Sequence, residues 1–77
     1  MSKDLTKIKN DIRIIISEVG YELGEAGFKN PGYKKMKEIA GITSISAIRE
    51  SIDFIMDSYA FEFGYNNTVI DMLSKIK

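Results

Sequence analysis

Ser44-Ile-Ser-Ala-Ile-Arg-Glu-Ser-Ile-Asp-Phe-Ile-Met-Asp-Ser-Tyr-Ala-Phe-Glu-Phe-Gly64 is the stretch on which the fold turns. Ile45, Ile48, Ile52, Ile55 and Tyr59 step by three and four residues, which places them on one seam of a helix. Ala47, Phe54 and Phe61 add a second apolar stripe. Thr43 or Ser44 offers a side-chain oxygen to the first unpaired backbone N–H groups, and Gly64 follows the last apolar position, Phe63. The spacing predicts a helix over 44–63. Being apolar on two sides, it should lie centrally in a bundle or touch something outside the monomer.

Upstream, Asn30-Pro31 is a start signal, a capping side chain followed by proline in the first turn. A helix over 31–40 would bury Tyr33, Met36, Ile39 and Ala40, expose Lys34, Lys35 and Lys37, and end at Gly41. Before it, Leu5, Ile8, Ile12, Ile15, Ile16, Val19, Leu23 and Ala26 form one stripe of a helix over 4–26. Ser2 or Asp4 would cap that helix and Gly27 would terminate it. Gly20 within it costs ~1 kcal/mol relative to alanine. Gly20 and Gly24 share a face, which allows close approach of another backbone or marks a kink or break.

Downstream, Tyr65-Asn66-Asn67 reads as a turn. Thr68-Val69-Ile70-Asp71 resembles a capping box with aspartate in the acidic place. It opens a helix over 68–76, apolar at Val69, Ile70, Leu73 and Ile76, with Lys75 and Lys77 at its C-terminal end. A competing reading pairs 59–64 with 68–72 as a short hairpin, because Phe61, Phe63 and Tyr65 alternate at period two. The expectation is an all-α, compact four-helix domain with a central apolar third helix.

Length and composition narrow the function classes. Seventy-seven residues form one domain. A chain this short removes only about 60% of its unfolded surface from water, so small folds recruit disulfides, metals or partner subunits. With no cysteine and no histidine, a disulfide framework is excluded and a zinc or haem site is not expected. A dense core remains, built from thirteen isoleucines with four each of methionine, phenylalanine and tyrosine. No segment approaches the ~20 apolar residues of a membrane span. The polar, charged Met1 end carries no apolar leader. A cytoplasmic protein is expected. The formal charge is zero, yet residues 1–37 carry +3 and residues 38–77 carry −3. One basic and one acidic face would support head-to-tail association or a mixed partner surface; ordinary solvated helix faces would give the same count.

Catalytic chemistry is thinly supplied. Without histidine and cysteine, the candidates are carboxylates, lysines, serines and tyrosines. Asp53 and Asp57, four residues apart, could form an acid/base pair, but with no pocket or supporting shell they read as a solvated acidic face. Glu18, Glu22 and Glu25 read the same way. Gly20, Gly24 and Gly27 do not match a phosphate-binding loop. Neither an enzyme, nor a cofactor, nor a small-molecule ligand is expected.

The stretch from Met36 to Ile52, Met-Lys-Glu-Ile-Ala-Gly-Ile-Thr-Ser-Ile-Ser-Ala-Ile-Arg-Glu-Ser-Ile, resembles the helix–turn–helix of bacterial and phage DNA-binding proteins. The resemblance covers about a third of the chain and falls in a corner spanning residues 31–58. It implies that Thr43, Ser44, Ser46 and Arg49 face base edges of double-stranded DNA, while Lys34, Lys35 and Lys37 neutralise phosphates. The stretch departs from the motif at Lys37, where a small residue is usual. It departs again in a turn one residue too long, and in Glu50, Asp53 and Asp57, which a phosphate backbone repels. An ordinary corner between two helices is the alternative.

Tyr59, Phe61, Phe63 and Tyr65 place four aromatic rings in seven residues, and one helix cannot turn all four inward. With Phe54 and Met56 they form the expected contact surface for another protein or a second copy of the chain. The leading expectation is therefore a small non-enzymatic regulatory or accessory protein that binds protein, as a homodimer. A DNA-binding regulator is the alternative.

Overall fold

The computed structural model describes residues 5–76, and every regular element among them is helical. In order these are α1 (Leu5–Leu23), α2 (Glu25–Lys29), α3 (Pro31–Glu38), a 3-10 turn (Ile39–Gly41), α4 (Ile45–Phe63) and α5 (Thr68–Ile76). Ser2, Asp4 and Lys77, expected at the ends of the first and last helices, lie outside the described residues. The alternative hairpin does not form, since residues 59–63 complete α4 and residues 68–76 are helical.

The helices fold together because their three-and-four seams meet. α1 packs along α5 and against α2, α3 and the 3-10 turn; α4 packs against α3 and α5. Ile8, Ile12, Ile15 and Val19 of α1 are buried, as are Ile48, Ile52, Ile55 and Tyr59 of α4. Met36, Ile39, Ala60, Val69, Ile70, Leu73 and Ile76 complete the core among the described residues. Each fully buried isoleucine contributes about 1.5–3 kcal/mol relative to exposure, which is how a short chain without cross-links stays closed.

Two boundaries and one cap differ from the sequence reading. The first helix stops at Leu23, not Ala26. Gly24 takes φ +69°, a conformation that costs a side chain dearly, and the chain restarts as α2. Gly27 therefore lies inside α2 and is buried, while Ala26 is exposed. A Cβ at Gly27 would meet Val19 Cγ1 at 2.7 Å, so the missing side chain is what lets α2 lie back on α1. The second helix likewise tightens into the 3-10 turn after Glu38, leaving Ala40 exposed, with its carbonyl accepting a 2.9 Å bond from Lys9 Nζ. Finally, α5 is capped by Asn67 rather than Thr68, because Asn67 Oδ1 accepts from Ile70 N at 2.9 Å. Asp71 pairs instead with Lys75 at 3.2 Å.

Asn30 fastens α3 to α4. Its Oδ1 accepts from Gly32 N at 2.7 Å, capping α3, while its Nδ2 donates to Ser58 O at 3.1 Å and Glu62 Oε1 at 2.7 Å. Nearby, the Tyr59 hydroxyl donates to Gly27 O at 3.0 Å, reaching from α4 to α2. Its ring lies on Gly32, where a Cβ would come within 2.8 Å of Cε2.

Candidate protein-binding face

The expected aromatic surface divides in two. Tyr59 is 0% exposed, so it is a core residue and not a contact for a partner. A side chain four residues after Ile55 continues the buried seam, and its hydroxyl is satisfied by Gly27. Burial pushes its phenol well above the ordinary tyrosine range, helped by Tyr33 and the Glu62 carboxylate. Phe63 stacks on Tyr59 with centroids 6.0 Å apart, and it and Met56 are half-buried against the core. These three point inward.

Phe54 and Phe61 do not. They are 46% and 95% exposed and lie seven residues apart, two turns along the outer side of α4. With Asp57, Ser58 and Glu62 of α4, and Asn30 and Pro31 at the start of α3, they line an open groove of about 610 Å³. Lys35 of α3 holds its ammonium 5.6 Å from the Phe54 centroid and 3.6 Å from Glu38 Oε1. Tyr65 is exposed as well, but it lies past the end of α4 beside a separate polar depression with Asn66, Asn67, Thr68 and Asp71. The structure thus brings together two of the six expected contact residues.

A smaller groove of about 390 Å³ lies between α1 and α5, lined by Ile14, Ile15, Met72 and Ile76 with Lys7, Asp11 and Lys75. Lys7 and Asp11 pair along α1 at its edge, at 3.2 Å. Tyr21 and Phe28 are also exposed, but Phe28 packs edge-on against Tyr33 at 5.0 Å and covers Gly20. The close approach anticipated at Gly20 is by a ring rather than a backbone.

The residues expected to meet DNA are distributed around α3 and the start of α4. Lys34, Thr43, Ser46 and Arg49 are exposed. Ser44 caps α4, its Oγ accepting from Ala47 N at 3.3 Å and lying 3.0 Å from Ser46 Oγ. Lys35 is occupied over Phe54, and Lys37 stands over the Tyr33 ring at 5.0 Å, turned the other way. Six residues, 39–44, join α3 to α4, longer than the three or four of the usual DNA-binding corner.

Among the described residues no group of three or more carboxylates is arranged to hold a metal ion, and no helix is long and apolar enough to cross a membrane. The shape of the Phe54–Phe61 groove was not legible in the sequence. Pro31 and Asn30 reach it only through the α3–α4 packing, although the two stripes on 44–63 already signalled an outward apolar side. Comparison with protein-family models, with curated proteins and with solved structures finds no match to this chain.

Proposed function

We propose that this chain is a small non-enzymatic regulatory or accessory protein that works by binding another polypeptide along the outer face of α4. The observation that carries the reading is the pair of rings at Phe54 and Phe61, exposed two turns apart on one side of α4 and lining the same open groove, whereas Ile14, Tyr21, Phe28 and Tyr65 are exposed at separate places. Leaving about half of one phenylalanine and nearly all of another in water forgoes on the order of 2–3 kcal/mol of burial, which contact with a partner would recover. Large apolar side chains beside an open groove, rimmed by polar groups, are the usual anatomy of a contact surface. A second copy of the chain and a different protein are both occupants of this kind.

A photo-crosslinking side chain installed at position 61, in the cell that makes the protein, tests the reading. Covalent adducts to protein are expected from position 61 and not from position 21, which is also largely exposed but lies on α1. Equal yields from both positions would remove the assignment of this face.

Binding to double-stranded DNA is supported by the exposure of Lys34, Thr43, Ser46 and Arg49 near the start of α4. It is opposed by the engagement of Lys35 and Lys37 with rings, and by the carboxylates that follow along α4. A gel shift on random duplex DNA at low salt, abolished by reversing Lys34, Lys35 and Lys37 to glutamate, would favour it over the α4 face.

A further inference from the structure

We infer that the occupant of the α4 face is a cationic amphipathic helix of a different protein, an inference that rests on the protein-binding reading above. The groove between Phe54 and Phe61 is bordered by Asp57 and Glu62, and no lysine or arginine lines it. Glu50 stands four residues before Phe54 and Asp57 four before Phe61, so each ring has a carboxylate beside it on the helix surface. Over Ile45–Phe63 there is one cation, Arg49, against four carboxylates. An apolar centre whose charged lining residues are carboxylates, with the nearby Lys35 already paired to Glu38, selects a partner with apolar anchors and basic flanks.

The same charges argue against a second copy. An antiparallel two-fold pairing of α4 helices sets the Glu50–Asp57 margin against its own twin. A parallel pairing sets it against the α3 margin, where Lys35 already pairs with Glu38 and Glu62 adds another carboxylate. Either arrangement brings together two helices that each carry a net charge of −3. A foreign helix with lysine or arginine beside leucine-like anchors meets no such repulsion. Its anchors, three or four residues apart, enter between Pro31 and the two rings, and its cations reach Asp57 and Glu62. One of the two rings, Phe54, already accepts an ammonium, in its contact with Lys35.

The test is fluorescence anisotropy of three labelled helical peptides against the full chain, at low and at physiological salt. All three carry leucines at helical spacing, and their polar face is lysine, glutamine or glutamate. The lysine peptide should bind about tenfold tighter than the glutamine peptide, and the glutamate peptide should not bind. Joint Phe54→Ser and Phe61→Ser substitution should weaken the lysine peptide by at least about tenfold. Joint Asp57→Lys and Glu62→Lys substitution should shift the preference toward the glutamate peptide. If the glutamine peptide binds as tightly as the lysine peptide, and still needs both phenylalanines, the charge assignment falls while the face stands. Sedimentation that shows a dimer, dissolved by the two phenylalanine substitutions, would make the occupant a second copy and overturn the inference alone. Binding of the lysine peptide that ignores the phenylalanine substitutions would overturn the face itself, and no binding by any peptide would overturn the cationic helix.

Discussion

Asn30 and Tyr59 show what one side chain settles in so short a chain. The Asn30-Pro31 pair announces a helix start, and the cap on Gly32 is what that local pattern leads one to expect. The bonds from Asn30 to Ser58 and Glu62 are different in kind, because they join positions 28 and 32 residues apart, beyond any local pattern. Replacing Asn30 with alanine should cost about 2–3 kcal/mol in denaturant unfolding, since it strands a buried N–H and releases α4 from α3. Tyr59 was legible as a helix-seam residue and, from the same sequence, as one of four crowded rings; packing against Gly32 and Gly27 decided for the seam. Its proton is held more tightly in the folded chain than in the unfolded one. The associated stability is complete below the unfolded phenol pKa of about 10 and declines as pH rises past it. Alkaline titration followed by phenolate absorbance and circular dichroism should show Tyr59 ionising only as helicity is lost. Tyr59→Phe should cost about 1 kcal/mol at neutral pH and lessen the alkaline decline.

At the scale of elements, periodicity carried most of the fold, and glycine placement was the hard part. The apolar steps that predict helices over 4–26, 44–63 and 68–76 each define a helix close to the one observed, at Leu5–Leu23, Ile45–Phe63 and Thr68–Ile76. Gly20, Gly24 and Gly27 were three candidate breaks with little local sequence to separate them. Tertiary contacts choose among them, because Phe28 covers Gly20, Val19 abuts Gly27, and Gly24 alone of the three takes positive φ. Gly24→Ala should therefore destabilise the chain by roughly 1–2 kcal/mol, although a Cβ there would touch nothing within 4 Å. The cap of α5 was misplaced by one residue because Asn67 and Thr68 are both capping types. Asn67 also donates to Gly64 O at 2.7 Å, which bends the turn so that its Oδ1 faces α5. Asn67→Ala should lower stability by about 1 kcal/mol, and Thr68→Ala by distinctly less, in thermal or urea unfolding.

For the whole molecule, the division between fold and function runs along α4, with its inner seam sealed and its outer rings exposed. That an apolar side would be left outward follows from counting rings against one helix. The two stripes already set Tyr59 on one side and Phe54 with Phe61 on the other; that the Tyr59 side is the sealed one follows from the position of α3, which encloses Tyr59 and sets Pro31 in the groove wall with Phe54. Phe61→Ser should accordingly leave unfolding free energy within about 0.5 kcal/mol of the parent chain while removing partner contact. The most direct measurement is an amide chemical-shift map of the full chain titrated with the lysine-faced peptide. Perturbation centred on Asn30, Phe54, Ser58, Phe61 and Glu62 is the result this account predicts. Perturbation centred on Thr43, Ser46 and Arg49, or on the groove between α1 and α5, would contradict it.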